Sequence, residues 1–354
     1  MDRRLFLLTG LAALPVRAGH PNWPGVVPGR PLQFPADHGA HPLFRTEWWY
    51  ITGWLRTPRS ADLGMQITFF RNRPDVQEGT DSRFAPAQLL FAHAALADPA
   101  VGTLSHDERA ARAGFGLAEA SEATTDVRLD DWHLSLEGGI YRSRVRSRAF
   151  DLDLAFEARS AILLQGDAGF SRKGLAPHQA SYYYSRPHLK VTGRVRRGRD
   201  AFDVTGSAWL DHEWSSDILG DAATGWDWCG INLHDGGALM AFRIRDGAGG
   251  STWAGGTHRA ADGRVRTAAP GDVRFEPLRQ WTSPRTATRY PVSMRIALWD
   301  DVITLQPLFD DQELDARRST GTTYWEGAVR ALRGTAEVGR GYLELTGYGQ
   351  RLKL

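Results

Sequence analysis

The chain holds one cysteine, Cys229, in 354 residues. No internal disulfide can form, so the fold stands on its buried core alone. Neither sign of charge dominates. Lysine and arginine together number 43 against 41 acidic residues, and Arg3, Arg4 and Arg17 set against Asp2 account for the whole formal +2. A balanced remainder gives no electrostatic reason to expect nucleic acid or an anionic membrane as partner. After residue 18 no apolar run approaches the ~20 residues that a membrane-crossing helix takes. Helical periodicity is scarce as well. Ser105-His106-Asp107-Glu108 reads as a capping box and predicts a short helix over about Arg109 to Ala113, outside any sheet.

Missing motifs narrow the chemistry further. His212-Glu213 starts like the zinc-protease motif H-E-x-x-H, but Ser216 stands where the second histidine belongs. His41, His93, His188, His212 and His234 show no metal-ligand spacing among themselves, so no metal is expected. There is no G-x-S-x-G elbow, since Gly169-Phe170-Ser171-Arg172-Lys173-Gly174 has the wrong spacing. No glycine loop that could cradle a phosphate precedes a helix, and no cofactor is expected.

What is present is β-structure and aromatic side chains. The composition, 42% hydrophobic and 24% charged, is that of a globular protein with material for two cores. Met1-Asp2-Arg3-Arg4 followed by the apolar run Leu5 to Val16 reads as an export signal, cut after Ala18. Arg3-Arg4-Leu5-Phe6-Leu7 also fits a twin-arginine signal; either route predicts a periplasmic or secreted protein. Residues 19–40, rich in proline and glycine, read as an extended lead-in, of which 19–30 precede the first domain. Then come short period-2 segments such as EWWYITGWL (47–55), MQITFF (65–70), FDVTGSAWLDHEW (202–214), WDWCGINL (226–233) and GYLELTGY (341–348). Four strands share a hydrophobic-Thr-Gly triplet ending at Gly53, Gly193, Gly206 and Gly347, which suits sharply curled barrel strands. The fold class expected is all-β, as two antiparallel barrels packed together. The first is placed at residues 31–216 and the second at 217–354, with the seam near Asp217–Thr224.

Candidate site residues come from three strands. In SAWLDHEWSS (207–216), alternation points Trp209, Asp211 and Glu213 one way and Leu210, His212 and Trp214 the other. Two carboxylates on one face repel, so one should keep a proton near neutral pH, as a general acid requires; an exposed strand end with both paired to arginines remains the alternative. Glu47 is another carboxylate in apolar company, directly before Trp48-Trp49-Tyr50. Trp226 and Trp228 repeat the aromatic theme, and thirteen tryptophans in all suit an apolar ligand as well as plain core. His93 is a lone histidine in an apolar strand, where a hydrogen-bonded core histidine is the commoner outcome.

The segments HPLFRTEWWYITGWL, LLFAHAALAD, SYYYSRPHLKVTG, SAWLDHEWSS and YWEGAVRALRGTAEVGRGYLELTGY together resemble the lipocalin-like family of AttH and the acyclic carotenoid 1,2-hydratases, CrtC. The likeness runs from about His41 to the C-terminus, and many bacterial members are exported proteins labelled secreted hydrolases. It implies two lipocalin-like β-barrels with an apolar site in or between them. It also implies cofactor-free addition of water to a terminal isoprenoid double bond, with Asp211 as the best match to the proton-donating acid. Glu213 or Glu47 would then orient the water, and Trp48, Trp49 and Trp209 would face the cation. His93, Tyr184, Trp226 and Trp228 complete the ligand-binding set that the resemblance suggests. The rival class is a non-catalytic carrier or envelope assembly factor for an apolar molecule, because a fold does not imply a reaction. A hydrolase of an apolar ester lacks a nucleophile motif.

Overall fold

The computed structural model describes residues 23–74 and 85–352. The expected export signal, residues 1–18, lies outside these residues. Strands make up 62% of the chain, in two antiparallel sheets. The first is 13-stranded and runs up to Asp217; the second is 10-stranded and begins at Ala223.

Both sheets share one topology. In the first, Thr46–Arg56, Asp62–Asn72, Leu89–Ala97 and Leu104–Arg112 form a meander, and the last long strand, Asp200–Asp217, returns to pair with Thr46–Arg56. In the second, Ala223–Leu233, Ala238–Asp246, Ser251–Arg259 and Val265–Ala268 form the meander, and Ala336–Leu345 returns to pair with Ala223–Leu233. Pairing of first strand with last closes an up-and-down barrel. The two sheets are therefore a pair of lipocalin-like barrels, one of them nearly closed. The second half of the chain thus repeats the connectivity of the first.

Glycines of the hydrophobic-Thr-Gly triplets sit where backbones nearly touch. A Cβ on Gly206 would lie 2.0 Å from the Trp54 carbonyl oxygen, and one on Gly193, at φ +153°, 2.2 Å from that of Asp153. Only a residue without a side chain lets these strands curl so closely.

One expected element is wrong. Leu104–Arg112 is a strand, paired with Leu89–Ala97 from Leu104↔Ala97 to Arg112↔Leu89. The capping-box letters lose to the ladder because the polar side chains find cross-sheet partners. His106 Nε2 accepts from the Asp315 amide (3.3 Å), and Glu108 accepts from the Ser319 amide (2.9 Å). The lead-in is not wholly extended either: it carries a single 3-10 turn at Ala36–His38, with Asp37 and His38 buried.

Three of the four apolar clusters among the described residues define the barrels and their seam. One fills the first barrel around Trp49, Ile51, Phe69, Leu210 and Trp214. A second fills the other barrel around Cys229, Met294, Trp325 and Leu343. The third lies between the barrels, where Tyr50, Trp54, Tyr183 and Trp209 meet Trp228, Phe242 and Tyr342. The first–last strand pairs of the two sheets thus pack against each other, and that seam carries the site.

Candidate functional site

Strand alternation decides what reaches the seam. On Thr46–Arg56, Thr46, Trp48 and Tyr50 face the second barrel, while Glu47, Trp49 and Ile51 turn into the first. On Asp200–Asp217, Trp209, Asp211 and Glu213 face the seam, and Ala208, Leu210 and Trp214 join the first core. The second sheet contributes Trp226, Trp228, Phe242, Ile244, Glu326 and Glu344. With the seam-facing residues of the first barrel other than Trp209, which bonds Asp211 without entering the wall, they line a cavity of about 80 Å³.

Asp211 is 3% exposed and accepts three hydrogen bonds. Oδ1 takes them from Ser185 Oγ (2.5 Å) and Trp209 Nε1 (2.6 Å), and Oδ2 from Tyr183 Oη (2.7 Å). Tyr183 Oη in turn accepts from Trp228 Nε1 at 3.0 Å, which ties the second barrel to the acid. Among the described residues no cation pairs with Asp211. Burial therefore dominates over these donors and, with the neighbouring charge of Glu213, pushes the carboxyl up to about 7.

Glu213 is compensated differently. Its Oε1 lies 2.9 Å from Lys173 Nζ and accepts from Ser181 Oγ. Lys173 also sits over the rings of Phe242 (4.2 Å) and Tyr183 (4.8 Å). Of two carboxylates on one strand face, Glu213 has the counter-charge and Asp211 is the one placed to hold a proton.

Two further acids, Glu326 and Glu344 of the second sheet, face them. Glu344 accepts from Trp226 Nε1 at 2.9 Å, and burial, together with Asp211 and Glu213, pushes it up to about 7. Glu326 is 1% exposed, accepts from Tyr50 Oη at 2.7 Å, and its Oε1 meets no protein partner. Burial, reinforced by Glu344, holds Glu326 well above the usual carboxylate range. A carboxylate alone among Tyr324, Ala328 and other buried letters of YWEGAVRAL was the available signal.

Trp48 stacks on Trp226 across the seam (6.4 Å, 15°), and Tyr50 meets Trp228 edge-on at 5.3 Å. Beyond Trp226 the cavity adjoins a second pocket of about 210 Å³ that shares Thr46, Phe70, Trp226 and Glu344. His93 lies there, with Nδ1 2.6 Å from Tyr324 Oη and Nε2 2.9 Å from Ser319 Oγ. Burial, with His106 nearby, lowers it to about 3, so the ring is neutral.

Three expected site residues turn into the first barrel, away from the cavity. Glu47 turns into the first barrel, where Oε2 meets Arg71 Nε at 2.7 Å and Oε1 meets His41 Nδ1 (2.7 Å) and His212 Nε2 (2.8 Å). Burial alone would raise its pKa, but Arg71, His212 and His41 outweigh that and hold it well below the usual range. It is thus an ion-pair residue, with no path to a water beside Asp211. Trp49 stacks on His212 at 4.7 Å inside the same core. Tyr184 Oη bonds His38 Nδ1 (2.8 Å) and His212 Nδ1 (3.1 Å) there. Residue parity explains all three, because neighbours on a strand face opposite ways.

His41, Glu47 and His212 bring ligand-type atoms within 4.8 Å of one another, a grouping that sequence spacing hid. Arg71 occupies Glu47 from the other side, and His41 Nε2 is taken by Asp37 Oδ1 at 3.1 Å, which is the pattern of a satisfied buried network.

The AttH-like family model matches residues 25–348. The chain belongs to the AttH-like family. A crystal structure from Nitrosomonas europaea, assigned to AttH, is 50% identical, covers 92% of this chain and 99% of its own, and superposes with a TM-score of 0.87. Kievitone hydratase from Nectria haematococca shares the fold at 15% identity, over 92% and 95% of the two chains, with a TM-score of 0.70. CghA, crystallised with Sch210972, does so at 13% identity, over 87% and 90%, with a TM-score of 0.52. Among curated proteins none matches the sequence.

Proposed function

We propose that this AttH-like protein is a cofactor-free hydro-lyase, adding water to a carbon–carbon double bond of an apolar, isoprenoid-like small molecule. The observation that carries the reading is Asp211, a buried carboxyl with three neutral donors and no counter-ion, facing an aromatic-walled cavity. Protonating a trisubstituted alkene needs an acid that keeps its proton in an apolar setting. Asp211 Oδ2–H forms the new C–H bond at the less substituted carbon, and the electron pair of the double bond is consumed. The tertiary cation left behind lies between Trp48, Trp226 and Trp228, whose π-faces attract positive charge. A water oxygen then forms the C–O bond and releases a proton.

Oδ2 accepts one bond and Oδ1 two, so Oδ2 is the oxygen with room for the proton, beside the Tyr183 hydroxyl, which can accept as well as donate. The cavity of about 80 Å³ holds only a few waters at roughly 10–15 Å³ each, so an elongated substrate extends into the adjoining 210 Å³ pocket by Trp226. Kievitone hydratase, named for water addition to kievitone, has the same fold and supports the reaction class. A carotenoid 1,2-hydratase-like substrate is the specific form of this reading. A carrier for apolar molecules would use the same aromatic walls, but it has no need of a buried acid lacking a counter-charge.

The test is Asp211→Asn with acyclic isoprenoids, lycopene first, water addition being read as a mass gain. Loss of turnover by roughly 10²-fold or more with ligand uptake retained is expected for removal of a general acid. Full activity in the variant would sink the acid role, and wild type that binds the panel but converts nothing would favour the carrier. We further propose export, with a mature chain starting near Gly19 in the periplasm. N-terminal sequencing of the native protein checks it, and an intact Met1 contradicts it.

A further inference from the structure

The hydration reading leaves unassigned the group that receives the water's proton. Glu213 is engaged by Lys173, and Glu47 lies on the far face of its strand. On the opposite wall, Glu326 and Glu344 are register partners on adjacent strands, Glu326 buried and Glu344 partly buried, and both line the cavity. Directly paired side chains on one sheet face stand about 4.5–5.5 Å apart at Cβ. Two carboxylates that close cannot both ionise in a dry setting, so they share a proton.

Their partners say where that proton stays. Tyr50 Oη donates to Glu326 Oε2, which makes Oε2 the carbonyl-like oxygen and leaves the proton on Oε1. Glu326 Oε1 has no protein partner although the residue is 1% exposed and lines the cavity. A buried hydroxyl without a partner costs about 1–3 kcal/mol. Its partner is therefore something that enters the cavity. Glu344 also accepts one bond, from Trp226 Nε1, but it is only partly buried, and the less buried member of the pair is the one that ionises more readily.

We propose that Glu326 and Glu344 form a carboxyl pair that holds the nucleophilic water of the addition, Glu326 donating from Oε1 to the water oxygen and Glu344 accepting the water's proton. This rests on the hydration reading and supplies its missing half. Asp211, from the first barrel, gives one proton to carbon; the water gives hydroxide to the cation and its remaining proton to Glu344. The product carries one H and one OH, and the enzyme ends with Asp211 ionised and Glu344 protonated. Transfer of that proton from Glu344 to Asp211 across the cavity restores the starting state. The reaction therefore needs both barrels, one for each proton transfer.

The active form has Asp211 protonated and Glu344 ionised, one proton over two groups that each titrate at about 7. The titratable and charged groups around them are Glu213 with Lys173 from the first barrel, the protonated Glu326 from the neighbouring strand, Asp227 from Ala223–Leu233, and its partners Arg243 and Arg245 from Ala238–Asp246. A bell-shaped rate profile centred near neutrality follows.

Glu344→Gln and Glu326→Gln, both close to isosteric, test the assignment in D₂O. In Glu344→Gln, hydration of lycopene should fall by roughly 10²-fold while deuterium still enters the unreacted alkene, since protonation by Asp211 and its reversal persist. Glu326→Gln should behave alike, with a smaller loss. A substrate-free readout accompanies these: at mildly alkaline pH, where Asp211 and Glu344 are ionised, the infrared carboxylic-acid band of wild type should vanish in Glu326→Gln. Undiminished hydration in Glu344→Gln, loss of exchange together with hydration, or a band that survives Glu326→Gln each overturns the proposal. Wild type that neither hydrates nor exchanges any alkene removes the hydration reading and the water role with it, while the infrared band still decides whether Glu326 holds the proton.

Discussion

Asp211 and Glu47 are both fully buried carboxylates, and their surroundings give them opposite effects on stability. Asp211 has no counter-ion, and burial moves it from 3.8 to about 7 in the folded chain. Across that window the native state binds more protons than the unfolded state, so stability falls as pH rises from about 4 to about 7 and then stays lower. Asp211→Asn should therefore be more stable than wild type at neutral and alkaline pH, by up to a few kcal/mol at 1.36 kcal/mol per unit, with the gain vanishing near pH 4. Glu47 is held below its usual range by Arg71, His212 and His41 despite burial. Its contribution is present above the unfolded value of 4.5 and is lost as pH falls through the folded one. Glu47→Gln leaves Arg71 buried without its charge partner and should cost about 3–5 kcal/mol at neutral pH. Urea unfolding of both variants across the pH range checks the pair, and shifts of the same sign at neutral pH would contradict this account of either site.

At the scale of strands, alternation made much of the fold and half of the site legible. Trp209, Asp211 and Glu213 share the seam face because period 2 is local geometry, and no tertiary knowledge is needed to see it. The same rule, applied to EWWY, separates Glu47 and Trp49 from Trp48, so their grouping as one site followed the resemblance over the parity. Leu104–Arg112 was misread because its polar letters mimic a cap, whereas their partners Asp315 and Ser319 lie more than 200 positions away. Glu326 offered only a weak signal and Glu344 none, for a related reason. Each is one acid on a buried strand, and what gives them chemistry is the meeting of two sheet faces that no window of sequence contains. The Glu47 network with His41, His212 and Arg71 escaped notice because its members are scattered along the chain.

For the whole molecule, the question is whether two barrels make two folding units. Residues 31–216 and 217–354, proposed as domains, each contain a core, yet the face between them is not that of loosely tethered domains. Tyr50, Trp54, Trp209 and Trp228 are nearly buried there, and hydrogen bonds from the first barrel cross the seam to the second. Trp54 Nε1 donates to the Gly341 carbonyl (2.9 Å), the His188 amide to Asn232 Oδ1 (2.9 Å), and Tyr50 Oη to Glu326 (2.7 Å). Separating the barrels would expose four large aromatic side chains, of order 1.5–3 kcal/mol each by burial alone, and would strip these bonds of their partners. That total is comparable to the 5–15 kcal/mol by which a whole domain is stable. One cooperative transition is therefore expected in denaturant, with tryptophan fluorescence and far-ultraviolet circular dichroism coincident. Expressed separately, each half should be insoluble or partly folded, with its share of the aromatic seam exposed. Two resolved transitions, or halves that fold alone with native-like spectra, would show that the seam contributes less than its burial suggests. In that event the carboxyl pair would sit on one independent domain and Asp211 on another, and the cavity would depend on docking rather than on folding.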